Sequence, residues 1–169
     1  MIPPSPWVVR HAQSIPARGK VLDLACGSGR HARFLAGLGY PVLAVDRDAG
    51  GLAGLSTIEG ITTRQLDLEG EEWPLAGQVF DGIVVTNYLW RPRLPDVLAL
   101  LAPGGALIYE TFMVGNAAYG KPSNPAFLFQ AGELRQLAAA AGLREVEYAE
   151  GYVASPKPAM RQAVCAIRD

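Results

Sequence analysis

The stretch Asp23-Leu24-Ala25-Cys26-Gly27-Ser28-Gly29-Arg30-His31 constrains the fold more than any other part of the chain. It sets a glycine-rich turn between an apolar run at 20–25 (KVLDLA) and a helical run at 30–38 that stops at Gly39. The apolar run reads as a buried strand. A strand that feeds a helix through such a turn opens a parallel α/β sheet. Glycines in the turn let the backbone approach a ligand, and the helix start offers free N–H groups. Residues 27–32 also fit the dinucleotide pattern G-x-G-x-x-G/A, so the turn alone does not say which nucleoside it would hold.

The alternation continues along the chain. Ser5-Pro6 reads as an N-cap and first-turn proline for a short helix at 7–15. Strands are expected at 42–45, 62–66, 82–86 and 106–110. Helices are expected at 49–55, weakened by glycines, and at 94–101, ending at Pro103-Gly104-Gly105. Residues 112–130, rich in Gly, Pro, Asn and aromatics, read as irregular. A helix at 133–141 stops at Gly142. Two strands follow at 144–152 and 162–168, joined through Pro156-Lys157-Pro158. With no helix between them they form a hairpin, which places one antiparallel strand in an otherwise parallel sheet. The expected fold is α/β and doubly wound, with a seven-stranded, mostly parallel sheet whose last strand is antiparallel, in one domain over 1–169.

Composition narrows the function classes. Half of the 169 residues are hydrophobic and 18% are charged, which fits a folded domain with a real core. A net charge of −1 gives no global field for nucleic acid or an anionic membrane and argues against both as partners. Cys26 and Cys165 make no disulfide framework, and no paired cysteines suggest a metal, so a reduced, cytoplasmic setting is expected. The opening Met1-Ile2-Pro3-Pro4-Ser5-Pro6 lacks the pattern of a secretory leader, and no apolar run approaches the roughly 20 residues of a membrane span.

Three acids sharpen the reading of the turn. Asp23 lies inside the first strand, where it would brace the loop or accept from a cationic amino group. Asp46 ends the second strand, where an acid takes the two ribose hydroxyls of a nucleoside. Asp67 ends the third and would accept from an adenine amine. All three belong at the carboxyl edge of the sheet, beside the switch point where such folds bind ligands.

The succession DLACGSGRH, AVDRD, QLDLEG, FDGIVVTNYLW and LLAPGGALIYETF resembles the ordered motifs of class I S-adenosylmethionine-dependent methyltransferases, from about Val21 to Thr111. GSGRHARFLAGLGYPVLAVDRD is most similar to the small tellurite-resistance-type members. The resemblance implies a Rossmann-like methyltransferase fold, S-adenosylmethionine as cofactor with S-adenosylhomocysteine as product, and no metal. The cofactor-binding residues it implies are Asp23, Ala25, Gly27, Gly29, Arg30, Asp46, Arg47, Asp67, Leu68, Asn87 and Tyr88. Gly27 and Gly29 would face the methionine part, Asp46 the ribose, and Asp67 with Leu68 the adenine. Asn87 and Tyr88 would lie near the transferred methyl. Tyr88-Leu89-Trp90 after Asn87 departs from the Asn-Pro-Pro-Tyr motif and points away from amino-group methylation of a base or glutamine.

Direct displacement needs a general base only if the acceptor must lose a proton; Tyr88, Glu110 and His11 are the candidates. His31 is expected as a half-exposed helix residue and Cys26 as small packing. Residues 1–16 and 112–130 are expected to form a lid over a small, anionic or soft acceptor. Arg10, Arg91 and Lys121, with Arg161, would converge there. About half of Tyr109, Phe112, Tyr119, Phe127 and Phe129 are expected in the core rather than in that pocket. Two rival readings use the same turn. A nicotinamide dehydrogenase would need a catalytic domain for which the chain leaves no room, and it leaves Asp23 and Asp67 without a role. A non-catalytic nucleoside-binding module is the other.

Overall fold

A computed structural model describes residues 2–169; Met1, the first residue of the expected lid, lies outside the described residues. Seven strands form: β1 (Val21–Leu24), β2 (Val42–Asp46), β3 (Ile61–Gln65), β4 (Phe80–Thr86), β5 (Leu101–Phe112), β6 (Arg144–Val153) and β7 (Ala159–Ile167). They make one sheet in the order β3-β2-β1-β4-β5-β7-β6. Pairing is parallel from β3 through β5, and β7 runs antiparallel between β5 and β6. The apolar runs of β1 and β2 become strands because both of their faces are covered.

Side chains alternate between two cores. Leu22, Leu24, Val85, Leu107 and Val164 face one side, under α4 (Leu94–Leu98) and α5 (Glu133–Ala140). Val21, Ala44, Val84, Ile108 and Cys165 face the other, under α1 (Pro6–His11), α2 (Arg30–Gly37) and α3 (Ala49–Ala53). The strand order turns back at β1 and β4, which puts the switch point beside the loops that leave these two strands.

Several element boundaries differ from the sequence reading. The first helix ends at His11 and continues as a 3-10 turn at Ala12–Ser14. Val8, Ala12 and Ile15 are buried on the sheet, and Ile15 occupies the space above Gly82, where a Cβ would lie 2.8–2.9 Å from it. This helix is therefore a core element of the sheet face. The helix expected at 94–101 stops at Leu98, because Leu101 pairs with Phe80 in the sheet. Residues 102–105 bulge before pairing resumes at Gly82 and Ala106, with Gly104 at a φ of 80°. Sheet pairing overrides the local helical preference there. Residues 112–130 hold two 3-10 turns and are pinned where Met113 bridges Phe129.

Candidate functional site

β1 is followed by a tight turn in which Ala25 has a φ of 54° and Gly27 and Gly29 have φ of 57° and 85°. A Cβ at Gly29 would stand 2.4 Å from Leu55, and one at Gly51 would stand 2.7 Å from the Gly27 carbonyl. Only glycine lets the turn and the start of α3 come this close. Asp46 holds the turn: Oδ2 accepts from the Gly27 N–H at 2.9 Å and Oδ1 from the Asp48 N–H at 2.9 Å. A carboxylate has about four acceptor directions, so each oxygen keeps a lone pair for a ligand hydroxyl.

One face of the carboxyl edge carries a polar layer across the strands. Asp23 is 1% exposed and its Oδ2 has no partner. Burial is the main cause that pushes its carboxyl up to about 7, while the Ala32 backbone N–H partly offsets it. His31 is also buried, which corrects the half-exposed expectation: its first-turn position faces the sheet. Its Nε2 accepts from the Ser5 N–H at 3.0 Å, so the neutral ring carries its proton on Nδ1, 3.3 Å from Thr86 Oγ1. Burial, with Arg30 nearby, holds the imidazole down to about 4. Ser5 caps α1 and its hydroxyl donates to Glu110. Arg161 lies 3.7 Å from Glu110, donates to Asn87 Oδ1 at 2.7 Å and covers the Phe112 ring. Arg30 donates to the Pro3 carbonyl at 3.0 Å. Residues 3–5 thus strap the polar layer, tied to the first turn of α2.

Two hollows meet beside the turn. A cleft of about 130 Å³ is lined by Ala25, Asp46, Arg47, Leu66, Asp67, Leu68, Glu69 and Tyr88. A cavity of about 400 Å³ is lined by Arg47, Glu69, Asn87, Tyr88, Leu89, Thr111, Phe112, Pro122 and Phe127. Asp67 does not end β3, which stops at Gln65. It sits in the loop beyond, where its Oδ1 accepts from the Glu69 N–H at 2.9 Å. Asn87 leaves β4 with a φ of 56°, a costly conformation for a non-glycine residue at the edge of the cavity. Tyr88 Oη donates to Glu69 Oε2 at 3.0 Å; burial and that carboxylate raise the phenol well above its ordinary range.

The family model described as "Tellurite resistance protein TehB" matches residues 7–153. The chain belongs to the TehB family. "Hemagglutinin 1" of Eikenella corrodens is 32% identical over 154 residues, 85% of this chain and 50% of that protein. TehB from Haemophilus influenzae superposes with a TM-score of 0.78 at 24% identity, covering 96% of this chain and 61% of that one. A 1,6-didemethyltoxoflavin-N1-methyltransferase of Burkholderia thailandensis, with S-adenosylhomocysteine bound, superposes at 0.72 and 23% identity, covering 96% and 76%. The chain thus spans about half the length of the curated relative and three fifths of the Haemophilus protein. The chain shares its fold with solved methyltransferases, one of them holding S-adenosylhomocysteine.

The TehB-family chain does not bring every expected group to this edge. His11 lies along the sheet face against Trp7, its Nε2 2.7 Å from Glu147 Oε1 but outside hydrogen-bond geometry. Arg10 pairs with the same Glu147 at 2.9 Å. Both follow the helix onto the hairpin, away from the turn. Arg91 is spent on Glu133, at 2.8 Å to both oxygens, and on the carbonyls of Ala126 and Leu128. Lys121 stays exposed. The expected convergence of cations fails, and Arg161 alone of the four reaches Asn87. Of the aromatics, Tyr109 and Phe129 are core, Phe112 and Phe127 line the cavity, and Tyr119 stacks on Tyr152. A further hollow, about 540 Å³, lies elsewhere, between α4 and α5. Its one charged side chain, Arg168, caps the carbonyls of Leu98, Leu101 and Ala141. Sequence reasoning missed Glu69, Thr86 and Thr111 as site residues. Asp67 was the only pointer to Glu69, and nothing local marked the two threonines.

Proposed function

We propose that this domain binds S-adenosylmethionine across the turn after β1 and transfers its methyl group to a small acceptor seated in the cavity between Tyr88 and Phe127. The observation that carries the reading is the meeting of two hollows at Arg47, Glu69 and Tyr88, one lined by Asp46, Asp67 and Leu68, the other by aromatics and Thr111. The chain fits the cofactor in three places. The orphaned, buried Asp23 Oδ2 suits an ammonium group, which would favour the ionised carboxylate. The turn at Gly27 and Gly29 has open backbone and no room for a Cβ at Gly29. Asp46 keeps acceptor capacity for ribose hydroxyls, and Asp67 with Leu68 suits an adenine edge.

When bound, the cofactor supplies a methyl activated on sulfonium, which an acceptor takes by in-line displacement. The residues then mainly orient and exclude water. Tyr88 borders both hollows and Asn87 the acceptor cavity, and together they set the line between donor and acceptor. Phe112, Phe127 and Leu89 give the acceptor an apolar seat. Tyr88 serves as a phenol that donates, since its surroundings oppose phenolate. Glu110, engaged by Ser5 and near Arg161, lines neither hollow and opens instead on the hairpin side with Trp7 and Gln162. Neither it nor His11 is placed to take a proton from the acceptor. Calorimetry should show S-adenosylmethionine and S-adenosylhomocysteine binding, with NADH inert. Tight NADH binding without response to either sulfur nucleoside would overturn the reading.

A further inference from the structure

Tyr88 and Glu69 line both hollows, and they come from different loops, those leaving β4 and β3. Their side chains meet across the boundary at 3.0 Å. We propose that this pair is a latch on the nucleoside: the Tyr88–Glu69 hydrogen bond closes the outer edge of the adenosine cleft and walls it from the acceptor cavity. The inference rests on the cofactor reading above and assigns Glu69, which acts through Tyr88, a positioning role.

The geometry favours a built latch over a chance surface contact. Both jaws are fixed from behind. The Tyr88 carbonyl accepts from the buried Tyr109 hydroxyl at 2.7 Å, and the Asn87 N–H donates to the Glu110 carbonyl at 3.0 Å. The Glu69 N–H is held by Asp67 Oδ1 at 2.9 Å. Arg93 ties the same two loops together by donating to the Gly70 and Glu71 carbonyls at 3.0 and 2.6 Å. With both backbones held, closing the bond costs side-chain entropy alone. The donor is permanent, because burial and Glu69 keep the phenol protonated. The third residue shared by both hollows, Arg47, is itself anchored through its carbonyl by Gln65 Nε2 at 3.1 Å. The wall therefore consists of three residues, each with a fixed main chain.

The test needs no knowledge of the acceptor. Dissociation rates of S-adenosylhomocysteine and of 5′-methylthioadenosine are measured on the wild-type chain, Tyr88→Phe, Glu69→Leu and the double variant. Loss of one hydrogen bond to a carboxylate predicts release about tenfold faster in each single variant. Because the two act through one bond, the double variant should release no faster than the faster single. Methylthioadenosine lacks the amino-acid half, so its release should accelerate by the same factor. Unchanged rates, multiplicative effects in the double variant, or acceleration confined to S-adenosylhomocysteine would each overturn the latch while nucleoside binding stands. A wild-type chain that binds neither nucleoside would overturn the cofactor reading itself.

Discussion

Asp23 and His31 lie in one polar layer and respond to acid in opposite senses. Asp23 is pushed up to about 7 from 3.8, so the folded chain holds its proton longer and stability falls as pH rises from about 4 to 7. His31 is held down to about 4 from 6.5, so the unfolded chain takes the proton first and stability falls as pH drops from 6.5 to about 4. Over the shared window the two slopes oppose each other. Denaturant unfolding across this range should show Asp23→Asn gaining stability with rising pH and His31→Gln losing it. The same slope in both variants would refute the assignment. Asp46→Ala removes a support of the turn as well as the proposed ribose partner, so S-adenosylhomocysteine affinity should drop at least about tenfold while the chain stays folded. Calorimetry reading an unchanged affinity would move the ribose elsewhere. Asp23, Asp46 and Gly27 were legible as residues because strand ends and glycine turns are local patterns. The depth of His31 was not, since its burial comes from Ser5 and Thr86, which are distant in the chain.

Among the elements, the second half of the segment after β5 is clamped by one side chain. Arg91 binds Glu133 with two hydrogen bonds and holds the Ala126 and Leu128 carbonyls, which fixes the turn that carries Phe127 into the cavity. Truncating it leaves these acceptors unpaired. Arg91→Met should cost about 1–3 kcal/mol and raise protease cutting within 122–130, with S-adenosylhomocysteine affinity retained. Intact resistance to cutting in that variant would show that the bridge between Met113 and Phe129 suffices. An arginine near a tryptophan reads from sequence as a loop cation or an anion site; its use as a clamp depends on where α5 begins. The N-terminal helix is similar. Its cap and proline were plain, but burial of Val8 and Ile15 on the sheet makes it part of the core, whereas the strap at residues 3–5 is what reaches the site.

On the scale of the whole molecule, two layers of helix cover the sheet, and the close approach of Ile15 to Gly82 shows how little slack remains. Gly82→Ala should destabilise by about 1–3 kcal/mol through overpacking, read as a lower unfolding midpoint. The added methyl pressing on Ile15 should be relieved in Gly82→Ala combined with Ile15→Val, and additive losses in that pair would count against direct contact. The sequence by itself determined the strand and helix alternation, the terminal hairpin, the turn at Gly27 and the acids around it. All of these are written in short-range periodicity and turn chemistry, which neighbours along the chain impose. Tertiary structure alone decided that Leu101 joins a strand, that Arg10 and His11 go to Glu147, and that Glu69 reaches Tyr88. Those outcomes depend on which surfaces β4, β6 and the strand-end loops present to one another, and no window of sequence contains both partners.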